Sequence, residues 1–328
     1  MSEKIVSSSP HIRSNVTTAK IMTDVVLALI PALIAATFYF GFRALYLTVI
    51  SVAFCVLFEY LWQKALKKPL NVGDGTAVVT GVLLALNVPV TAPWWMLAVG
   101  ALVAIIIIKQ FFGGTGNNFM NPAMGARAFL LASWPVQMTL WSKPFTTGFT
   151  VDADIVSSAT PLALMKTGEI ASLPALSDVF WGNIAGCMGE VCVPALLIGF
   201  IYLLIKKVIT PTIPLFYVGT VAVLSFIFKV DGMTGIDCAL YSICSGGLLL
   251  GAIFMATDYT TSPIYFKGQI IMGIGCGAIT FLIRRLGGYP EGVTYAILLM
   301  NIATPLIDKY VRPKKFGYVA QKGGAKNA

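Results

Sequence analysis

Long apolar stretches separated by short polar connections make up most of the chain. No polar segment is long enough to form a hydrophobic core of its own. A helix needs about 20 predominantly apolar residues to cross a bilayer, so the pattern predicts an all-α, polytopic membrane protein with about ten transmembrane helices. The predicted spans are residues 22–41, 43–64, 76–91, 94–111, 119–134, 182–205, 212–229, 238–256, 268–286 and 292–309.

The basic residues predict the orientation of these spans. Lys and Arg collect in the connections on the side of the N-terminus, and cytoplasmic connections carry such an excess. Both termini are therefore predicted to be cytoplasmic, and residues 151–178 to face outward. The net charge of +9 follows from this topology and does not indicate nucleic-acid binding. The Arg284–Arg285 pair, on the outer side, runs against the bias.

Composition and topology together divide the chain into five regions. Of its 328 residues, 57% are hydrophobic and 11% are charged, whereas soluble domains carry roughly 25% charged residues. The regions are a cytoplasmic N-terminal arm without signal-peptide character (1–21), a first transmembrane repeat (22–134), an external loop (135–181), a second transmembrane repeat (182–309) and a basic cytoplasmic tail (310–328).

Short matches between the halves of the chain indicate an internal repeat. Residues 31–39 (PALIAATFY) match 194–202 (PALLIGFIY), and residues 81–93 (GVLLALNVPVTAP) match 251–263 (GAIFMATDYTTSP), in the same order. Each copy holds five predicted spans, an odd number, so the second copy enters the membrane from the opposite side. The predicted architecture is two inverted five-helix repeats, which resembles that of urea and ammonium transporters.

Metal-binding residue types are sparse and scattered. His11 is the single histidine, and no C-x-x-C spacing is present. Neither an iron–sulfur cluster held by this chain alone nor another metal site is predicted, and the cysteines are interpreted as small buried apolar residues. The cysteines are Cys55, Cys187, Cys192, Cys238, Cys244 and Cys276.

The predicted outer loop contains a Thr-Pro pair with two interpretations. Thr160 followed by Pro161 is a good helix start, because Thr caps a helix and Pro fits its first position. The string DIVSSAT, which ends at Thr160, also resembles the flavinylation signature D-x-x-S/T-G-A-T, in which the last Thr carries FMN through a phosphoester bond. This chain has Ser158 where that signature usually has Gly. The residues that the resemblance assigns to flavin attachment and to the recognition loop are Asp154, Ser157, Ser158, Ala159 and Thr160.

A second candidate site lies in the stretch FFGGTGNNFMNPAMGARAFLL, residues 111–131. Its glycines free the backbone to turn, and the Asn-Pro pair can start a helix within the membrane that aims backbone N–H groups into a cavity. The alternative is a capped turn with the arginine paired to an acidic neighbour. The side chains that can bind a polar ring system or a phosphate are Asn117, Asn118, Asn121 and Arg127.

Acidic residues inside or beside the spans indicate an ion path or a buried partner, because a carboxylate is costly in a membrane. Glu190, in GCMGEVCVP, is the deepest of them. A buried functional role and a simple helix–helix hydrogen bond are both open for it. The others are Asp24, Glu59, Asp74, Asp237 and Asp258.

Together these motifs resemble one known family. The start SSPHIRSNVTTAKIM and the stretches NPAMGARA, SSATPL and GAIFMATDYTTSP look like those of the D subunits of Rnf complexes, which are ion-translocating ferredoxin:NAD oxidoreductases. The B subunits of sodium-pumping NADH:quinone reductases are relatives with a longer N-terminal extension. The resemblance covers nearly the whole chain.

The resemblance implies a flavin-carrying subunit in the cell membrane of a bacterium or archaeon. FMN would be bound covalently to Thr160 on the outer face, with Asn121 and Arg127 lining a flavin cavity, and a non-covalent riboflavin is known in the relative. The implied partners are a membrane pair of subunits that holds a metal centre, a second covalent-FMN subunit, cytoplasmic subunits that interact with NAD and ferredoxin, and a flavin transferase. Electron flow from ferredoxin to NAD would drive Na⁺ or H⁺ across the membrane.

Two other functions stay open on the sequence alone. Inverted five-helix repeats also build ammonium and urea transport proteins, so a small-solute transporter or channel without a redox role is one alternative. A membrane scaffold that holds redox partners without carrying a cofactor is the other. Neither needs the D-x-x-S-x-A-T string, which therefore favours the flavin-carrying subunit.

Overall fold

The computed structural model describes residues 16–145, 159–288 and 291–313, and every regular element in them is helical. A helix lies in each of the ten predicted spans. The helices are α1 (Thr18–Phe40), α2 (Phe42–Ala65), α3 (Thr76–Leu86), α4 (Trp94–Leu102, continued by a π-helix, Val103–Gln110), α5 (Pro122–Ser133), α6 (Pro135–Met138), α7 (Pro161–Thr167), α8 (Leu176–Trp181), α9 (Val193–Ile205), α10 (Thr212–Ile227), α11 (Gly235–Cys244), α12 (Leu248–Leu250, continued by a π-helix, Gly251–Met255), α13 (Phe266–Leu286) and α14 (Val293–Tyr310), with 3₁₀ turns at Val72–Asp74 and Ile170–Ser172.

Three described helices, α1, α2 and α13, are each long and apolar enough to cross a bilayer. Helices α11 and α12 reach that length together and bend by 63° at the break between them. Helices α3, α4, α9 and α10 are apolar but shorter. The chain is therefore a helical membrane protein, while ten crossings in two inverted copies stay a prediction.

The two predicted copies pack against each other through equivalent helices. Helix α1 contacts α9, and α5 contacts α14. The α1–α9 contact is very close, because a Cβ added to Gly199 would lie 2.3 Å from the carbonyl oxygen of Ala28 and 2.9 Å from Cζ of Phe254. Small residues allow such approach of helices in membranes, where packing rather than water exclusion drives association.

One predicted span is wrong in its first part, since α9 begins at Val193 rather than near residue 182. Residues 184–191 are buried but not helical. Gly189 N–H donates to the carbonyl oxygen of Leu86 (2.8 Å), just where α3 ends. Buried backbone outside a helix needs such partners in a membrane. The segment consists largely of Gly and apolar residues. Its composition is therefore that of a transmembrane span, although its backbone is not helical.

Helix α1 defines two faces of the molecule. Near its start, the Tyr202 hydroxyl donates to Oδ1 of Asp24 (2.8 Å). At its end, Phe145 N–H donates to the carbonyl oxygen of Tyr39 (2.7 Å), and the Tyr39 hydroxyl donates to that of Trp181 (2.8 Å). We call the end with Phe145 and Trp181 the outer face and the end with Asp24 the inner face. The described parts of the predicted external loop lie at the outer face.

We expect Gly199→Ala to destabilise the fold by about 1–3 kcal/mol, since the added methyl overpacks the α1–α9 contact. The matched control is Gly219→Ala in α10, where an added Cβ meets no atom within 4 Å and the better helix former should be neutral or slightly stabilising. Thermal unfolding of the purified chains in detergent, followed by circular dichroism, measures both changes. Equal unfolding midpoints for the two variants would contradict the close packing.

Candidate functional site: a buried ionic cluster between two cavities

Helix α5 begins inside the protein, at a cap made by Asn121. Its Oδ1 accepts from the N–H groups of Ala123 (3.0 Å) and Met124 (3.2 Å), and Pro122 occupies the first helical position. Its Nδ2 donates to the carbonyl oxygen of Met255 (3.3 Å), the last residue of the second π-helix. Asn121 therefore joins the start of α5 in one predicted copy to a helix end in the other.

A cavity of about 110 Å³ opens beside this junction, at the inner face. The Asn118 amide donates to Oγ1 of Thr260 (2.9 Å), whose hydroxyl donates to Oδ2 of Asp258 (2.9 Å). Burial raises the pKa of Asp258, and hydrogen bonds from Thr260 and Thr261 oppose that rise. The polar residues that line this inner cavity are Thr76, Thr80, Lys109, Thr115, Asn118, Asn121, Thr257, Asp258, Tyr259 and Thr260.

Lys109 reaches the inner cavity from a buried ion pair. Its Nζ lies 2.8 Å from Oε1 of Glu59, and both side chains are almost fully buried. It also donates to Oγ1 of Thr76 (2.6 Å), and the Gln110 amide donates to the same Glu59 oxygen (2.8 Å). Lys109 is one of the basic residues counted on the cytoplasmic side in predicting the orientation, and in the structure it is buried and paired.

Arg127 lies further along α5 and does not line the inner cavity. Its Nη2 pairs with Oε2 of Glu291, and its Nη1 donates to Oγ1 of Thr294 (3.1 Å) and contacts Oδ1 of Asn87 (3.4 Å). Only 3% of the Arg127 side chain is exposed. The structure thus shows the paired arginine that was the alternative to a ligand-binding one, and its partner comes from the other predicted copy.

Glu190 joins the same cluster from the non-helical segment before α9. Its Oε1 accepts from Cys187 N–H (2.9 Å), and its Oε2 lies 3.2 Å from where a Cβ of Gly247 would be. Cys187, Glu190 and Glu291 each place one ligand atom within 4.8 Å of the others, a spacing that fits a metal ion. Arg127 hydrogen-bonds to two of these residues, Glu291 and Cys187, and so already supplies the positive charge.

Arg284 is the fourth charged residue of the cluster. Its place there accounts for one member of the Arg284–Arg285 pair, which runs against the predicted charge bias. It is directed inward, and it donates to the carbonyl oxygens of Ser242 (2.6 Å) and Ser245 (3.2 Å). These carbonyls end α11 at its break, where a helix leaves such groups without partners and favours a cation. A Cβ on Gly246 would lie 3.1 Å from Nη2 of Arg284 and 3.9 Å from Cγ of Glu291. The cluster thus contains two arginines and two glutamates, of which Arg127 and Glu291 form an ion pair.

Thr160 lies at the outer face and starts a helix, which confirms that interpretation of the Thr-Pro pair. Its Oγ1 accepts from Ala163 N–H (3.3 Å), and it is 5% exposed, whereas Ala159 is exposed. The flavin interpretation of the same residue stays a prediction. Three residues of the predicted signature, Asp154, Ser157 and Ser158, lie outside the described residues.

A second cavity, of about 370 Å³, begins one turn beyond Thr160. It lies between α7, α10, α11 and α13, and we call it the outer cavity. Its lining mixes apolar and charged side chains, with three cations and one carboxylate. These residues are Leu162, Met165, Lys166, Thr167, Gly168, Ser225, Phe228, Val230, Asp231, Cys238, Ser242, Phe281, Arg284 and Arg285.

The structure thus separates residues that the sequence grouped. Asn118 and Asn121 share the inner cavity, Asn117 is exposed, and Arg127 belongs to the ionic cluster. Sequence reasoning missed Glu291, Thr294 and Asn87 as its partners. The available signal was charge: Glu291 is an acid in an outer connection, opposite in sign to an arginine within a span.

These observations define a class: a multi-pass helical membrane protein with polar sites at both faces and a buried ionic cluster between them. The chain belongs to the NQR2, RnfD, RnfE family, whose model matches residues 5–317.

Relatives cover the chain almost from end to end. The D subunit of the Na⁺-translocating ferredoxin:NAD⁺ oxidoreductase complex of Acetobacterium woodii is 50% identical over 323 residues, 98% of each chain. The D subunit of the proton-translocating ferredoxin:NAD⁺ oxidoreductase complex of Clostridium ljungdahlii is 44% identical, over 95% of this chain and 96% of that one. The D subunit of an ion-translocating oxidoreductase complex of Stutzerimonas stutzeri is 39% identical, over 93% of each.

We expect Glu291→Gln to destabilise the protein by about 3–5 kcal/mol, because it leaves a buried arginine without its counter-charge. The control is Glu169→Gln, which changes an exposed carboxylate. Replacing both members of the pair, by Arg127→Met with Glu291→Met, should destabilise less than the sum of the two single changes. Thermal unfolding in detergent gives all of these values. A Glu291→Gln variant as stable as the Glu169→Gln control would show that the ion pair is not formed.

Proposed function

We propose that the chain is the membrane-embedded, flavin-carrying subunit of an ion-translocating ferredoxin:NAD⁺ oxidoreductase complex. The observation that carries this proposal is the end-to-end identity of 50% and 44% to two proteins named as the D subunits of such complexes. These relatives are named for different ions, so the proposal covers coupled movement of Na⁺ or H⁺. The chain relays electrons, and the ion-translocating activity belongs to the assembled complex.

Covalent FMN on the Thr160 hydroxyl is the first part of the proposal. The residues around Thr160 fit such a group: the outer cavity begins within one turn of α7, and Lys166 and Arg284 supply positive charge in its wall. Those cations would stabilise the phosphate and any negative charge on a reduced ring, because opposite charges attract strongly where water is scarce. Flavin supplies a carrier that accepts electrons one or two at a time, while this chain fixes its position.

A second, non-covalent flavin, held at the inner cavity with one edge of its ring inserted, is the next part. The Asn118 amide and the hydroxyl and carboxylate groups of Thr260 and Asp258 offer donors and acceptors of the kind that fix a polar ring in a mostly apolar pocket. Thr80 and Asn121 add polar groups to the wall beside them. Two flavin positions at opposite faces of one helical bundle suit a subunit that passes electrons across a membrane.

The proposal includes the membrane arrangement and the partners. Ten spans in two inverted copies would place both termini in the cytoplasm and the outer face outside the cell, and the α1–α9 and α5–α14 contacts between the copies support this. The partners would be a membrane pair of subunits holding a metal centre, a second covalent-FMN subunit, cytoplasmic subunits that bind NAD and ferredoxin, and a flavin transferase for maturation. The relatives' names support partners in a complex.

Thr160→Ala should abolish covalent flavin, because the attachment oxygen is removed. The control is Thr167→Ala at the other end of α7, where the hydroxyl is exposed and outside the signature. Both chains are produced in a host with a flavin transferase and examined for fluorescence in a denaturing gel, with peptide mass analysis of the labelled site. A dark wild-type band, beside a labelled flavoprotein from the same cells, would overturn covalent attachment and lead next to solute-flux assays for a transporter.

Asn118→Leu should reduce the non-covalent flavin that co-purifies with the chain, since it removes a polar group from the wall of the inner cavity. Asn117→Leu is the matched control, because the neighbouring side chain is exposed and does not line the cavity. Flavin released by denaturation and separated by chromatography is quantified per chain in the Thr160→Ala background, where no covalent flavin contributes. Equal loss in both variants, or none in either, would place the flavin elsewhere.

A further inference from the structure

Helices α10 and α13 run side by side in the same direction and are closest near their middles. A Cβ added to Gly273 would lie 2.7 Å from Cβ of Phe216, and one added to Gly277 would lie 2.6 Å from Cβ of Thr220. Glycines four residues apart let helix backbones approach in this way. One turn further along α13 the small residue is replaced by Phe281, so the row of glycines ends.

Beyond that point a groove lies between the outer ends of the two helices. The rings of Phe228 and Phe281 meet at a centroid distance of 5.8 Å and form part of the groove wall. The groove has a volume of about 580 Å³, and most of its lining is apolar. It shares Phe228, Phe281 and Arg285 with the outer cavity. Its lining residues are Leu224, Ile227, Phe228, Lys229, Ala278, Phe281, Leu282, Arg285 and Leu286.

Two cations lie at the outer end of this apolar groove. Lys229 and Arg285 are both exposed, and their one mutual contact is between Nη2 of Arg285 and the carbonyl oxygen of Lys229 (3.4 Å). Within residues 16–145, 159–288 and 291–313, the ion pairs are Lys109–Glu59 and Arg127–Glu291, so neither cation has a carboxylate partner there. Arg285 is also the member of the Arg284–Arg285 pair that does not belong to the ionic cluster.

We propose that the groove between α10 and α13 binds an anionic glycerophospholipid, with its acyl chain along Leu224, Ala278 and Leu282 and its phosphate between Lys229 and Arg285. An apolar channel that ends in two cations without acidic partners complements a molecule with a hydrocarbon chain and a phosphate. Basic residues near a membrane surface attract anionic headgroups, and each contributes independently. The proposal does not depend on flavin or on partner subunits.

The test is native mass spectrometry of the purified full chain in detergent, with equal amounts of phosphatidylglycerol and phosphatidylcholine of identical acyl chains. The wild type should retain phosphatidylglycerol in preference to phosphatidylcholine. Lys229→Gln with Arg285→Gln should reduce that preference by about tenfold or more, given two lost charges. Ala278→Trp fills the groove without changing charge and should lower retention of the anionic lipid. The control, Lys64→Gln with Lys68→Gln, removes two exposed cations outside the groove and should behave as the wild type.

Glycerol 1-phosphate separates a lipid site from a simple anion site, because it carries the phosphate without acyl chains. The proposal expects it not to displace the bound lipid. Displacement by it, equal retention of the two lipids by the wild type, or unchanged preference in the Lys229 and Arg285 variant would each overturn the proposal. Retention of no lipid by the well-folded wild type would also overturn it, and would assign the groove to a helix of a partner protein. Circular dichroism confirms that each variant is folded.

Discussion

The ion pair between Arg127 and Glu291 is the interaction on which the rest of the structure depends, because it joins the two halves of the chain in the interior of the molecule. Arg127 comes from α5, and Glu291 from the turn before α14. Both are removed from water, so the charge of each is tolerable only with the other present. The same guanidinium also contacts Asn87 and Thr294, and thereby holds the end of α3 and the start of α14 at one point.

Several helices stop inside the molecule at that point, which is unusual for a membrane protein. Helix α3 ends at Leu86, α11 at Cys244, and the segment before α9 is buried without being helical. Hydrocarbon offers no hydrogen bonds, so their free backbone groups must find partners within the protein. Gly189 supplies one for Leu86, and Arg284 supplies two for the end of α11.

The helical pattern and the main polar stretches were predictable, because apolar runs and Asn-Pro or Thr-Pro starts are local signals. Asn121 and Thr160 cap helices as their sequence contexts indicate. The backbone of residues 182–192 was not predictable, since it depends on partners about 100 positions earlier in the chain. The burial of Lys109 and the pairing of Glu291 were missed for the same reason. Counting charges on each side of the membrane does not show that a charge of opposite sign is buried next to each of these residues.

The charges in the cluster follow from the interrupted helices rather than from a need for stability. Apolar side chains of similar size often stabilise a packed interior as well as a buried ion pair does. They could not satisfy the carbonyls of Ser242 and Ser245, which Arg284 does. A helix that ends inside a membrane protein leaves carbonyl groups that need donors, and a buried donor that is a cation needs a carboxylate. Glu291 is that carboxylate for Arg127, and Glu190 lies close to the same cluster.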